Sequence, residues 1–195
     1  MTLQLTKKHS FDTVFDSQKV FRLILEAVSN PTRVVNIRES ADKLFGSCPE
    51  FLTVAMTLLD NETSFTVTGM DSLTDEIVSL TLARREETES ADFLFVCDPR
   101  GLKAVIENAK CGTLSDPHKS ATVVIRNNGE SNCRLKLSGP GIDGFKEVLA
   151  SRVTQDAIIF RDAQQYEYPQ GIELIFISSN GELFAIPRLT RMEVY

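Results

Sequence analysis

Four large apolar residues in succession, Phe93-Leu94-Phe95-Val96, are the strongest constraint on how this chain folds. Such a run has no polar face to offer to water. As a strand it must be covered on both sides, the condition of a parallel strand inside an α/β sheet. Residues 101–110 follow with Leu102, Val105 and Ile106 at helical spacing, so the segment reads as a buried strand and then an amphipathic helix. Segments 33–37, 64–68 and 121–126 read as further strands. Segment 50–59 is apolar nearly all round and reads as a buried helix, and 73–83 as an amphipathic one. The first helix carries Phe11, Val14, Phe15, Phe21, Leu25 and Val28 on one face. Ser10 is placed to cap its start, and Ser29-Asn30-Pro31 ends it, since the residue before a proline avoids the helical region.

The second half adds antiparallel signals. Asn127-Asn128-Gly129 reads as a hairpin turn, and Cys133, Leu135 and Leu137 alternate with Arg134, Lys136 and Ser138 on a returning strand. Gly139-Pro140-Gly141 breaks that strand. Segments 145–149 and 154–165 read as helical, with Ala157-Ile158-Ile159-Phe160 equally compatible with a strand. A last hairpin runs from Ile172 through the Ser179-Asn180-Gly181 turn to Pro187, which cannot donate to a ladder. Helices alternating with buried strands, plus antiparallel pairs, imply one α/β domain over residues 1–195, with a mixed sheet flanked by helices.

Composition excludes several function classes. Across 195 residues the net charge is −6 and the pI near 5.0, which argues against a nucleic-acid partner. No apolar run approaches the roughly 20 residues of a membrane span. The start, with Lys7, Lys8 and His9, has no apolar segment behind it, so a secretory signal is not expected. Cys48, Cys97, Cys111 and Cys133 form no C-x-x-C pair, and His9 and His118 lie far from metal-ligand spacing, so no metal site is expected. Cys97 and Cys133 read as small buried hydrophobes, and the reducing cytoplasm is the expected compartment.

Gly139-Pro140-Gly141-Ile142-Asp143-Gly144 matches G-x-G-x-x-G letter for letter. The strand before it alternates polar and apolar residues, and only about fifty residues remain after it. It is read as a turn. The lysines lie among polar neighbours in amphipathic patterns, and none follows a buried strand in a Gly/Ser-rich loop, so a Schiff-base lysine is not expected. His118, Ser120 and Asp116 have no spacing that defines a triad. Arg188 ends a strand at a rigid turn, and an arginine there is suited to grip phosphate or carboxylate by two hydrogen bonds. Glu173 lies in an apolar strand, where an unpaired charge is costly. The two either form a structural ion pair or serve a ligand or subunit contact. Arg22, read as lying opposite the apolar stripe of the first helix, is the third candidate.

Several blocks carry a resemblance. Tyr168-Pro169-Gln170-Gly171-Ile172-Glu173-Leu174 precedes the last hairpin and Ala185-Ile186-Pro187-Arg188 ends it. Upstream, in order, stand Phe21-Arg22 with Ala27, Ser29 and Pro31, then Leu58-Leu59-Asp60-Asn61-Glu62-Thr63, Gly112, Ser120-Ala121-Thr122, and Leu137-Ser138-Gly139-Pro140-Gly141-Ile142. From Phe11 to Val194 the chain resembles the PhnH subunit family of bacterial carbon–phosphorus lyase. Thr32 stands where that family usually has Gly, Glu173 where it has Asp, and Leu189 where it has Thr. The resemblance implies a fold similar to the large domain of fold-type-I pyridoxal-phosphate transferases, without the cofactor. It implies a homodimer when alone and a core assembly with subunits G, I and J. That assembly replaces the adenine of ATP by an alkylphosphonate, giving an alkylphosphonate ribose triphosphate such as ribose 1-methylphosphonate 5-triphosphate. The chain is then a transferase subunit that supplies interface and scaffold, or shares a site. The alternatives are a nucleotide- or phosphonate-binding enzyme acting on its own, and a regulatory binding module.

Overall fold

The computed structural model describes residues 9–193. The expectation drawn from the first eight residues, and the last residue pair, lie outside that range. In chain order the elements are α1 (Phe15–Ser29), β1 (Val35–Asn36), α2 (Arg38–Ala41), α3 (Pro49–Leu58), β2 (Ser64–Thr68), α4 (Asp71–Thr81), β3 (Arg84–Arg85), β4 (Phe93–Val96) and α5 (Leu102–Asn108). There follow β5 (Thr122–Arg126), β6 (Ser131–Ser138), β7 (Lys146–Ser151), α6 (Arg152–Asp162), β8 (Glu173–Ile177), β9 (Glu182–Ile186) and β10 (Arg191–Glu193). Seven strands form a mixed sheet in the order β1-β9-β8-β5-β4-β2-β3, and three form a small antiparallel sheet, β10-β6-β7. In the large sheet β9 runs against both its neighbours, while β8, β5, β4, β2 and β3 are parallel.

Successive residues of the central strands enter opposite cores. Phe65, Phe95, Val124, Ile175 and Ile177 pack with α1, α3 and α4. Leu94, Val96, Val123, Ile125, Leu174 and Phe176 pack with α5, α6 and the small sheet. The unbroken apolar run in β4 therefore faces helices on both sides, as its lack of alternation requires. The ambiguous 157–160 segment is helical, within α6.

Three expectations are corrected. Asn127-Asn128-Gly129 is not a hairpin: β5 lies in the large sheet and β6 in the small one. Val123, Val124 and Ile125 are all buried, so β5 is two-faced and cannot be the edge partner of a half-polar strand. Asn127 instead ties the end of β5 to the small sheet, and Asn128 ties the connecting loop to the β8–β9 turn. Asn127 accepts from the Ser151 hydroxyl, and Asn128 Oδ1 accepts from the Ser179 N–H at 2.8 Å. Segment 145–149 is not helical; it enters β7, paired with β6 through Leu135↔Val148 and Leu137↔Lys146. Ser10 is not the cap of α1. Asp12 Oδ1 accepts from the N–H groups of Val14 and Phe15, each at 2.8 Å, and the helix starts later.

The face of α1 differs too. Its core side is Asp16, Val20, Ile24 and Ala27, whereas Val14, Phe15, Phe21 and Leu25 point to solvent. The buried Asp16 carboxylate is bonded by Lys43 Nζ at 2.6 Å and by the Asp12 N–H at 2.8 Å. Burial pushes its pKa up; the lysine and the backbone bond outweigh that and hold it below the ordinary value.

Arg161 is the largest fully buried side chain, 1% exposed. From α6 it donates to the carbonyls of Pro187 at 3.0 Å and Thr190 at 2.5 Å, and its Nε reaches Asp162 at 2.9 Å. It thereby ties α6 to the chain between β9 and β10, satisfying carbonyls that have left the sheet. Arg161→Met is expected to lower stability by about 3 kcal/mol, read by urea unfolding, because carbonyls lose a buried donor.

The glycine-rich loop joins β6 to β7. A Cβ on Gly141, at φ +81°, meets the Ser29 carbonyl at 2.6 Å, whereas one on Gly144, at φ +67°, meets nothing within 4 Å. Both alanine substitutions carry left-handed strain. Gly141→Ala is expected to cost roughly 1–2 kcal/mol more than Gly144→Ala, since it also pushes the loop off the end of α1.

Candidate functional site

Glu173 opens β8 and Arg188 stands two residues past the end of β9, so the antiparallel pairing Leu174↔Ile186 sets them side by side at the hairpin's mouth. Arg188 donates its backbone N–H to Glu173 Oε2 at 2.9 Å and its Nε–H to Oε1. Its Nη1 donates to the carbonyl of Pro117. Nearby, Gln170 Nε2 donates to the Gly112 carbonyl at 3.1 Å, and the Gly171 N–H to that of Cys111 at 3.0 Å. The carboxylate thus orients the guanidinium, and the guanidinium pins the 111–120 loop. Both side chains are largely buried.

The same loop lines a cleft of about 690 Å³, with Glu62, Arg84, Asp92, Lys110, Gly112 and Lys119 among its walls. Its cations have partners. Lys110 Nζ lies 2.5 Å from Asp92 Oδ1, Lys119 lies 3.2 Å from Asp116, and Arg84 donates to the Glu62 carbonyl at 3.1 Å. Asp92 Oδ2 also accepts from the N–H and hydroxyl of Ser64, at 2.8 and 2.6 Å. Burial raises the pKa of its carboxyl, and the bonds from Lys110 and Ser64 bring it below the ordinary value, so it is ionised at neutral pH.

The opposite edge holds the carboxyl ends of the parallel strands, where open α/β sheets usually bind ligands. Arg126 ends β5 there. Its guanidinium lies 5.4 Å from the centre of the Phe51 ring, and its Nη2 is 2.8 Å from Cys48 Sγ. Burial pushes the Cys48 thiol up to about 12 and that of Cys97 in the same direction. Both stay neutral at physiological pH, although Arg126 favours the thiolate, so neither is an activated nucleophile. Cys48 and Cys97 are buried; Cys133 is half-buried beside the second core. Among the described residues, no group of three or more His, Cys, Asp or Glu is placed to hold a metal ion. Among the same residues, no helix is long and apolar enough to cross a membrane.

Of the three candidates named from sequence, Arg188 and Glu173 come together, while Arg22 belongs to α1 and forms no part of this site. It is also not opposite the apolar stripe: seven residues after Phe15 and three before Leu25, it is exposed among them. Sequence reasoning missed Arg126 and Arg161. Arg126 carried a legible signal, since an arginine closing an apolar strand is placed like Glu173 opening one. His118 is exposed, and Gly139–Gly144 is a hairpin loop with strands on both sides, not a strand-to-helix phosphate turn. Arg188→Ala is expected to cost on the order of 2 kcal/mol, a drop of roughly 5 °C in melting temperature, because it strips Glu173 and the Pro117 carbonyl of a donor. Arg188→Lys should recover less than half of that loss, since a lysine cannot span both acceptors.

A family model described as bacterial phosphonate metabolism protein (PhnH) matches residues 9–193. The chain is also similar to a protein of Stutzerimonas stutzeri provisionally named C-P lyase subunit protein HtxG. The two are 28% identical over 179 residues, covering 91% of this chain and 86% of that protein. With its family match running through both sheets and every helix, the chain belongs to the PhnH family of bacterial phosphonate metabolism proteins.

Proposed function

We propose that this chain is the H subunit of a carbon–phosphorus lyase core complex. In this reading it acts with the G, I and J subunits to form alkylphosphonate ribose triphosphate from ATP and an alkylphosphonate. Its part is scaffold and interface, and the displacement itself belongs to another subunit. The family match over residues 9–193 and the similarity to a protein named as a C-P lyase subunit support the machine. One observation carries the scaffold half: the charged groups of the candidate site are already engaged with each other. Arg188 is held by Glu173 and the Pro117 carbonyl, Lys110 by Asp92, and Lys119 by Asp116. A group that must grip phosphate has to give up such partners first, and that cost weakens binding.

The same reading makes the chain a cytoplasmic homodimer when alone. Its mixed sheet is then a relative of the large domain of fold-type-I pyridoxal-phosphate transferases that works without the cofactor. Co-production of the tagged chain with the G, I and J subunits of its host, sized by light scattering, tests it. A stoichiometric assembly is expected, with the isolated chain dimeric and giving no heat on titration with ATP. ATP binding by the isolated chain, with no assembly, would overturn the reading in favour of an independent nucleotide-binding enzyme.

A further inference from the structure

We propose that the outer face of α1 is a docking surface for a helix of a different protein subunit, one that sets a carboxylate against Arg22 within an apolar seam. This inference rests on the reading of the chain as a subunit of a larger machine.

The helix has two apolar faces. One is spent on the core through Val20, Ile24 and Ala27. The other stays in water: Phe15 is 74% exposed, Val14 68%, Leu25 52% and Phe21 49%. Positions 14, 18, 21, 25 and 28 follow one another at spacings of four and three, the seam that a second helix packs along. Val14, Phe21 and Leu25 occupy three of them, Gln18 is exposed between, and Val28 leans back onto the core. Two large aromatic rings and an arginine on one exposed face is the composition of an interface centre, not of ordinary surface.

Charge identifies the occupant. The other cations around this helix are neutralised: Lys19 by Glu39 at 2.5 Å, Arg33 by Glu26 at 2.6 Å and Lys43 by Asp16 at 2.6 Å. Arg22 has no ion pair or hydrogen bond among the described residues. Burying the seam against an uncharged surface would leave that guanidinium desolvated, which is costly. A second copy of this chain fits poorly. A two-fold pairing about the middle of the stripe, near Phe21, brings Arg22 against Arg22, and the acids of the helix, Asp16 and Glu26, are already taken. A lipid surface fits poorly too, since such helices carry several cations beside the apolar face, and this one carries, among the described residues, a single one without an ion pair. A carboxylate on a helix of another chain satisfies the site.

The test compares wild type, Phe15→Ala, Arg22→Glu and Arg22→Lys for assembly with the other carbon–phosphorus lyase subunits of the same host, followed by light-scattering titration. Thermal melting and the mass of the isolated chain are read alongside. Phe15→Ala and Arg22→Glu should weaken assembly by about tenfold or more, and Arg22→Lys by less. Melting temperature and the mass of the isolated chain should not move. If wild type assembles and the variants assemble equally well, this face is not the docking surface, while the subunit reading stands. If Arg22→Glu or Phe15→Ala changes the mass of the isolated chain, the occupant is a second copy and the proposal fails. If wild type assembles with none of the subunits, the proposal and the subunit reading fail together.

Discussion

Two-sided burial of the central strands governs this molecule. β4, β5 and β8 contribute apolar side chains at consecutive positions, and each goes alternately to one of two cores. Such strands tolerate neither an edge position nor a solvent face, so the chain must cross over between them and keep helices on both sides. That requirement explains why the segment after β5 leaves the large sheet instead of folding back on it. A half-polar strand like β6, with Arg134 and Lys136 on one face, has no place beside β5. It forms its own three-stranded sheet, which covers part of the second core.

A sheet built this way solves its centre and leaves its exits to be tied. Here arginines tie them. Arg161 reaches from α6 to carbonyls beyond β9, and Arg188 reaches from the end of β9 to the loop before β5. Both positions use a planar group with several donors to collect backbone acceptors that strand pairing cannot satisfy. Arg126, at the carboxyl edge, has an aromatic ring and a neutral thiol as neighbours, and its Nε is buried without a hydrogen-bond partner. Of these three, Arg161 and Arg188 tie backbone segments together, while Arg126 keeps an unpaired buried donor at the carboxyl edge of the sheet.

How much of this was legible in the sequence depended on whether the signal was local. The consecutive apolar run at 93–96, the helices at 50–59 and 101–110 and the final hairpin could be read because each pattern reports its own surroundings. The ion pair of Glu173 was legible for the same reason: a charge in an apolar strand demands a partner, and the hairpin register brings Arg188 to it. Asn127-Asn128-Gly129 misled because its turn chemistry says nothing about which sheet the next strand joins. Phe145 to Leu149 misled because a short mixed segment has no decisive period, and pairing of β7 with β6 settles it. Arg161 was invisible from sequence, since its acceptors lie some 25–29 residues away in carbonyls that no side-chain pattern marks.

The first helix shows a subtler failure. The stripe of Phe15, Phe21 and Leu25 is a sound amphipathic signal, yet the core takes the opposite face, where Val20, Ile24 and Ala27 are smaller. Helix α1 crosses close over β9 and α3, and small side chains with one lysine-paired aspartate permit that approach, whereas two phenylalanines would hold the helix away. The larger stripe is therefore free for something outside the chain. Periodicity in a sequence records burial in the state under which the protein works. When a strong apolar face is found in water and a weaker one in the core, the simplest physical account is that the working state contains another surface.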